Sequence, residues 1–210
     1  MDVSVTKAAI QRRMTHRFIG LLKTRDHANS SETIGELIDR LGELSFGWCL
    51  LIFSLLNLLP LPLGANMITS VPLILVALQM TAGMPGVRLP ARVAAKPLPR
   101  VGLRRGIARL RPMFRILERM ARPRFGFILA PRYRRFIGLA VLALAFALFL
   151  PIPLSGWGPA LSILVISFGL VERDGGIVLG GLALGVVSIL IVVAVVFAIA
   201  FGVNHFPRIT

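Results

Sequence analysis

The residues that could do chemistry in this chain are a few polar side chains inside long apolar stretches. Asn57 and Asn66 lie on either side of a break in the first stretch. Polar groups at membrane depth are costly, so each of them needs a partner. Two roles stay open for this pair. They satisfy backbone groups that the break leaves unpaired, or they contact a solute or ion, as the broken helices of transporters do.

A second polar group, Glu172, Arg173 and Asp174, lies where the last two apolar stretches meet. A carboxylate at Asp174 suits the start of a helix, and Arg173 suits a cytoplasmic membrane boundary. The first interpretation is therefore a solvated turn. The alternatives are an ion-pair network with an arginine-rich segment, or proton or ion coupling by Glu172. Gln79 and Ser167, inside apolar stretches, are expected to hydrogen-bond across helices.

The sequence contains no recognisable catalytic set. His16, His27 and His205 lie outside the apolar stretches and far from one another, and Cys49 is the single cysteine. No metal-ligand spacing, nucleophile elbow or phosphate-binding glycine-rich loop occurs. We therefore expect no enzyme activity, no metal site and no cofactor. Cys49 is expected to be a small buried apolar residue.

The elements that must position the polar residues are membrane helices. The chain has 210 residues, of which 56% are hydrophobic, and a soluble domain of this size cannot bury that much apolar surface. Residues 44–87, 136–171 and 175–204 contain no charged side chain. Since about 20 apolar residues cross a bilayer, the composition predicts an all-α integral membrane protein.

The first two apolar runs break at similar phrases, Pro60-Leu61-Pro62 and Pro151-Ile152-Pro153. Proline lacks a backbone donor and cannot continue a helix, so the chain must turn at both places. We therefore predict an internal repeat of two proline-broken hairpins. Turns at membrane depth must be covered by protein or water, so the two tips are expected to meet each other or a partner chain.

The arms of these hairpins are short for full spans. The arms before the breaks, 44–59 and 136–150, have 16 and 15 residues, which gives helices of roughly 22–24 Å. The returning arms, roughly 64–82 and 155–171, are only slightly longer. The hydrocarbon core of a bilayer is about 30 Å thick. Re-entrant hairpins with tips near the midplane are the first interpretation, and tilted full spans are the second.

The positive charge is concentrated between the hairpins. Residues 88–135 carry 15 Lys or Arg against Glu118, within a total formal charge of +15. This position favours a cytoplasmic segment that binds anionic lipid headgroups, and not nucleic acid. Apolar side chains recur at helical spacing from residue 103 to 121, which predicts a basic amphipathic helix in the interface. The arginines expected to contact headgroups are Arg104, Arg105, Arg109, Arg115 and Arg119.

Two further helices complete the prediction. Residues 32–43 form an amphipathic helix that begins with the capping-box spacing of Thr33 and Glu36, lying either on the membrane surface or against the rest of the protein. Residues 175–204 form a conventional transmembrane helix. Its small residues, Gly181 and Gly185 among them, are expected to pack against a hairpin or against a second protomer in a homodimer.

The predicted organisation has five parts. They are a polar N-terminal segment (1–31), the amphipathic helix and first hairpin (32–87), the basic cytoplasmic segment (88–135), the second hairpin (136–174), and the C-terminal helix with its tail (175–210).

The order of several short motifs resembles the bacterial ExoD family, which is named for exopolysaccharide synthesis. The motifs are Gly35-Glu36-Leu37, Asn57-Leu58-Leu59-Pro60-Leu61-Pro62, Leu150-Pro151-Ile152-Pro153 and Gly169-Leu170-Val171-Glu172-Arg173-Asp174-Gly175. The resemblance covers roughly residues 33–205. It implies a multi-pass protein of the bacterial inner membrane, linked to exopolysaccharide production and to growth at alkaline pH.

Three functions remain open at this point. Transport or ion handling is the first interpretation, because paired broken hairpins favour it, and a membrane scaffold is the alternative. The absence of acids within the apolar runs favours a membrane scaffold or regulator, with polysaccharide synthesis proteins as partners. A membrane enzyme acting on lipid-linked sugar or phosphate is the weakest, because no base or nucleophile is in view.

Overall fold

A computed structural model of the protein describes residues 33–59, 65–97, 129–150 and 156–205. These residues form helices and no β-strand, apart from an isolated bridge between Thr33 and Pro97. The helices are α1 (Ile34–Leu41), α2 (Leu44–Leu58), α3 (Ala65–Thr81), α4 (Ala91–Ala94), α5 (Pro131–Phe149), α6 (Trp157–Glu172) and α7 (Gly175–His205). The prediction of an all-α fold is therefore confirmed for the described part of the chain.

Several predicted features lie outside the described residues and stay predictions. They are the N-terminal segment 1–31, the tip prolines Pro60, Pro62, Pro151 and Pro153, and the interfacial helix with Arg104, Arg105, Arg109, Arg115 and Arg119.

Helix α1 begins at a capped turn and packs on the rest of the protein. The Thr33 hydroxyl oxygen accepts a hydrogen bond from the Glu36 backbone nitrogen at 3.4 Å, as a capping box requires of its first residue. Ile38 is buried in the core. On the other side, a Cβ atom at Gly35 would lie 3.0 Å from the Cβ of Ala94 in α4. The apolar face of α1 is therefore covered by protein.

Helix α5 begins earlier than the charge-free run predicts. It starts at Pro131, whereas the uncharged run starts at Phe136, so its first turn contains Arg132, Arg134 and Arg135. Proline is favoured at the first helical position because its missing N–H would have no partner there and its φ is already helical. Arginine side chains can lie along a helix and still keep their charged ends at a polar surface. A prediction from the uncharged run alone therefore places the start of this helix too late in the sequence.

Helices α2, α3, α5 and α6 pack crosswise, which here means that a helix from one half of the chain pairs with a helix from the other half. The contacts of α3 with α5 and of α2 with α6 are more extensive than those of α2 with α3 or of α5 with α6. The central core contains Phe46, Leu50, Leu73, Met80, Val141, Leu144, Ile163 and Ile166, all less than 2% exposed. Within this group of four, each helix thus packs mainly against a helix from the other half of the chain, and α6 packs as extensively against α7.

Two glycines allow the crosswise pairs to approach closely. A Cβ atom at Gly138 in α5 would lie 2.7 Å from the backbone nitrogen of Thr81, at the end of α3. A Cβ atom at Gly47 in α2 would lie 2.9 Å from Cγ2 and 3.2 Å from the backbone nitrogen of Val171, at the end of α6. Small residues at such positions let two helix backbones come together.

The outside of this bundle is apolar. Ile68 is 76% exposed, and large apolar side chains on every long helix share this property, including Leu56, Leu75, Phe146, Leu161 and Leu190. Within the described residues, Gly175–Ala198 is long and apolar enough to cross a membrane, while Leu44–Leu58, Asn66–Thr81 and Trp157–Glu172 are apolar but shorter. An apolar surface of this extent marks a contact with lipid or protein.

Two small residues of α7, Gly181 and Gly185, face its own chain, whereas Gly180 does not. A Cβ atom at Gly181 would lie 2.8 Å from the backbone nitrogen of Ile166 in α6, and one at Gly185 would lie 3.0 Å from a methyl carbon of Leu144 in α5. The surface predicted to meet either a hairpin or a second protomer is therefore covered by α6 and α5.

Replacing Gly181 with leucine is expected to destabilise the fold, because the side chain would collide with the α6 backbone. Overpacking of this kind costs about 1–3 kcal/mol. Gly180→Leu is the matched control, since no atom lies within 4 Å of a Cβ at Gly180. The measurement is thermal unfolding of the purified protein in detergent. Equal unfolding midpoints for the two variants would contradict this packing.

Candidate functional site

The amide of Asn57 is fully engaged within the fold. The residue is 1% exposed at the end of α2. Its Nδ2 donates to the carbonyl of Phe53 at 2.9 Å and to that of Thr69 at 3.3 Å. Its Oδ1 accepts from the Thr69 hydroxyl at 2.7 Å. Both amide protons are therefore used, and the side chain holds α2 against α3. Thr69, which sequence reasoning did not single out, is half of this connection.

Asn66 lies at the start of α3, close to the second half of the chain. Its Nδ2 would be 3.0 Å from a Cβ atom at Gly156, the residue before α6, and Leu148 lies 3.5 Å from the same point. Asn66 follows the first predicted tip, while Leu148 and Gly156 flank the second. The described segments next to the two tips therefore approach each other at one end of the bundle.

Gln79 and Ser167 were expected to bond across helices. Among the described residues, both side chains bond instead to backbone close to them in sequence. The Gln79 amide pairs with the backbone of Arg88 just beyond its own helix: Nε2 donates to the carbonyl at 3.0 Å, and Oε1 accepts from the nitrogen at 2.6 Å. The Ser167 hydroxyl donates to the Leu164 carbonyl, one turn earlier in α6, at 2.8 Å. Short polar side chains often bond to nearby backbone in this way.

Asp174 and Arg173 form the turn between α6 and α7. Asp174 is buried, and its Oδ1 accepts from the backbone nitrogens of Gly176 at 2.8 Å and Ile177 at 3.4 Å, as an N-cap does. Arg173 ends α6 in the left-handed conformation, with φ of 54°, which is common at helix C-termini. Glu172, the last residue of α6, is half-buried. The group therefore forms a turn, but not the solvated turn that was expected, because Asp174 is 4% exposed and caps α7.

The structure divides the predicted site residues between opposite ends of the bundle. Asn57 and Asn66 lie at the end next to the tips, where α2 ends and α3 begins. Gln79 and the turn at 172–174 lie at the other end, where α3 and α6 finish. A helix of 16 residues such as α6 separates its ends by about 24 Å. These residues therefore do not form one site.

An ion pair that sequence reasoning missed joins the two halves at the second end. Arg134 Nη1 lies 2.7 Å from Glu43 Oε1, and the guanidinium carbon lies 5.9 Å from the centroid of the Phe46 ring, within cation–π range. Arg134 is 12% exposed and Glu43 is 57% exposed. Because the carboxylate is largely in solvent, the pair itself contributes little stability. Glu43 lies directly before the first uncharged run and Arg134 two residues before the second, and this matched position was the available signal.

The described residues contain few groups that could do more than form hydrogen bonds and ion pairs. Within residues 33–59, 65–97, 129–150 and 156–205, no three His, Cys, Asp or Glu side chains come together as a metal site would require. Cys49 is half-buried and packs against the core. The arrangement can position helices and present charge at one end.

Asn57→Ala is expected to destabilise the protein, because it leaves Thr69 and two carbonyl groups with fewer partners. The loss of unfolding free energy should be about 1–3 kcal/mol, measured by chemical or thermal denaturation in detergent. Asn66→Ala is the matched control, since no hydrogen bond of its side chain is found among the described residues, and its effect should stay within about 0.5 kcal/mol. Equal effects of the two changes would contradict the role given to Asn57.

Comparison with known proteins assigns the family. The family profile described as "Exopolysaccharide synthesis, ExoD" matches residues 20–194. The protein ExoD of Rhizobium meliloti strain 1021 is 30% identical over 183 residues, which are 83% of this chain and 75% of that protein. An uncharacterized protein of Synechocystis is 32% identical over 163 residues, 76% of each chain. No solved structure matches. The chain therefore belongs to the ExoD family of exopolysaccharide synthesis proteins.

Proposed function

We propose that this protein is a non-catalytic component of exopolysaccharide synthesis, embedded in the bacterial inner membrane, where it acts as a scaffold or regulator for the proteins that make or export the polymer. The observation that carries this proposal is the use of the buried polar side chains. Asn57, Asp174 and Ser167 direct their hydrogen bonds to neighbouring groups of the fold. Family membership supports the link to the polymer.

The membrane location rests on the apolar outer surface together with the sequence. Helix α7 is long enough to span a bilayer, and α2, α3 and α6 are apolar but shorter. The first four N–H groups and last four carbonyls of a helix need partners, which lipid tails cannot supply. Short hairpins whose tips are covered by each other meet this requirement. The basic segment 88–135 then lies on the cytoplasmic side, in contact with anionic headgroups.

The two halves are, in this proposal, copies of one hairpin related by an approximate two-fold axis. Gly47 and Gly138 are 91 positions apart, as are Pro60 and Pro151. The residues that the two glycines approach, Val171 and Thr81, are 90 apart. Each glycine thus approaches the corresponding backbone nitrogen of the other half.

The ends of the returning helices support the same relation. The Met84 nitrogen donates to the Gln79 carbonyl at 3.2 Å, and the Asp174 nitrogen donates to the Gly169 carbonyl at 2.9 Å. Both donors and both acceptors are 90 positions apart, and a left-handed residue, Gly83 or Arg173, precedes each donor. This is the hydrogen bond of a Schellman motif, found at the same place in both halves.

A second candidate function is transport or ion handling, including a role in alkaline or ion homeostasis. It is favoured by the approach of Asn66 to Gly156 beside the two tips. Repeats that meet near the membrane midplane are a common way to build a transport site. In this reading Glu172 is the residue that couples to a proton or ion.

Reconstitution separates the two candidates. Purified protein in vesicles loaded with a pH-sensitive dye is expected to conduct protons and Na⁺ no faster than empty vesicles, because the scaffold needs no path across the bilayer. Flux above that background, lost in Glu172→Gln and kept in Glu36→Gln, would contradict the scaffold and support transport. Glu36 is a suitable control since it is an exposed acid on α1.

The scaffold role makes a second expectation in cells. A strain that lacks this protein should make less exopolysaccharide, and photo-crosslinkers placed at 104–119 should capture proteins of the polymer pathway in native membranes. Normal polymer yield in the deletion strain would argue against the whole proposal.

A further inference from the structure

A cavity of about 330 Å³ lies at the end of the bundle where the crosswise helices meet. Glu43 and Phe46 at the start of α2 line it, together with Arg134 and Ile137 at the start of α5. The ends of the returning helices close it with Met80, Leu170 and Arg173. The volume falls at the small end of the range for ligand sites.

The lining of the cavity comes from corresponding positions of the two halves. Glu43 corresponds to Arg134 and Phe46 to Ile137, each pair 91 positions apart, and Met80 corresponds to Leu170, 90 positions apart. The cavity therefore lies on the approximate two-fold axis. The two halves differ there in charge, because one contributes a carboxylate and the other a guanidinium.

The cavity has more positive than negative charge. Arg134 and Arg173 line it against Glu43, the one acid of its lining. Nη1 of Arg134 pairs with the carboxylate of Glu43, while its Nε is buried without a hydrogen-bond partner among the described residues. Arg173 is exposed and takes part in none of the ion pairs found among the described residues. Arg173 is therefore an exposed guanidinium in the lining that a ligand can reach.

The remaining lining is apolar. The combination of positive charge with apolar surface indicates the class of ligand. Leu44, Leu129 and Leu170 form the partly exposed apolar part of the lining, while Phe46, Met80 and Ile137 are almost fully buried. A guanidinium is suited to phosphate because it offers several donors in one plane. A phosphate attached to an apolar chain satisfies both parts of the cavity, whereas a free sugar or a neutral metabolite leaves the positive charge unmatched.

We propose that this cavity binds the phosphate of an anionic phospholipid, with Arg173 and Arg134 at the headgroup and the first methylenes of an acyl chain against Leu44, Leu129 and Leu170. A lipid bound in this cavity lies between the two halves, at the end opposite the tips. The site is separate from the arginines of the 103–121 segment, which were predicted to contact headgroups on the membrane surface. The inference rests on the proposed membrane location.

The test is native mass spectrometry of the full-length protein in detergent, titrated with short-chain phosphatidylglycerol or phosphatidylcholine. Phosphatidylglycerol should be retained preferentially. Arg173→Gln should weaken its retention about fivefold, the effect of one arginine on an anionic lipid, while Glu43→Gln should strengthen it because the competing carboxylate is gone. Arg40→Gln is the matched control, since this exposed arginine on α1 lies outside both the cavity lining and the basic segment 88–135 and should leave retention unchanged.

Other outcomes overturn the assignment. Equal retention of phosphatidylglycerol by wild type and Arg173→Gln, with unchanged thermal unfolding, removes the lipid from this cavity. Binding of inorganic phosphate that depends on Arg173, without preference for phosphatidylglycerol over phosphatidylcholine, makes it a site for free phosphate. Carbonate extraction of cell membranes tests the membrane location independently, so the failure of the lipid site and the failure of the proposed location are distinguishable.

Discussion

The close approach of helix backbones at Gly47 and Gly138 is the constraint on which the rest of the structure depends. Each glycine receives the end of a helix from the other half of the chain, at distances that a Cβ atom would not permit. This contact draws Phe46 and Ile137 into a common core and sets Glu43 opposite Arg134. In lipid, where apolar surfaces gain little from meeting one another, such close packing is a principal source of helix association.

The polar side chains follow from the same arrangement. Because the crosswise helices leave little space between them, the buried hydroxyl and amide groups bond to backbone within reach, as Asn57 and Ser167 do. The ion pair of Glu43 with Arg134 and the turn at 172–174 lie at the end of the bundle where the cavity is, whereas Asn57 and Asn66 lie beside the tips. This separation of charge from apolar interior is what a protein in a bilayer requires.

Much of the fold could be predicted from the sequence, since its main signals are local. Proline phrases and uncharged runs predicted α2, α3 and α6 to within a few residues, and the spacing of Thr33 and Glu36 predicted the start of α1. The start of α5 could not be predicted from charge, because Arg132, Arg134 and Arg135 belong to its first turns. Family membership was predicted from motif order and is confirmed.

The candidate sites were less predictable, because their partners are distant in sequence. The connection of Asn57 to Thr69 spans the first break, and that of Glu43 to Arg134 spans half the protein. A 91-residue separation, shared with the prolines, was the signal that would have found the ion pair. Gln79 was placed correctly on α3, but nothing in the sequence indicated that the loop at Arg88 would use its amide.

Thiol crosslinking tests the packing of the two halves most directly. In a chain carrying Cys49→Ala, cysteines replace Glu43 and Arg134 in one variant and Asn66 and Gly156 in a second, so the closely packed Gly47 and Gly138 stay intact. The side chains of Glu43 and Arg134 meet at 2.7 Å, and a Cβ atom at Gly156 would lie 3.0 Å from Nδ2 of Asn66. In membrane vesicles, a short bifunctional thiol reagent is predicted to link each pair within a single chain. Failure of both pairs to crosslink in folded protein would contradict the arrangement.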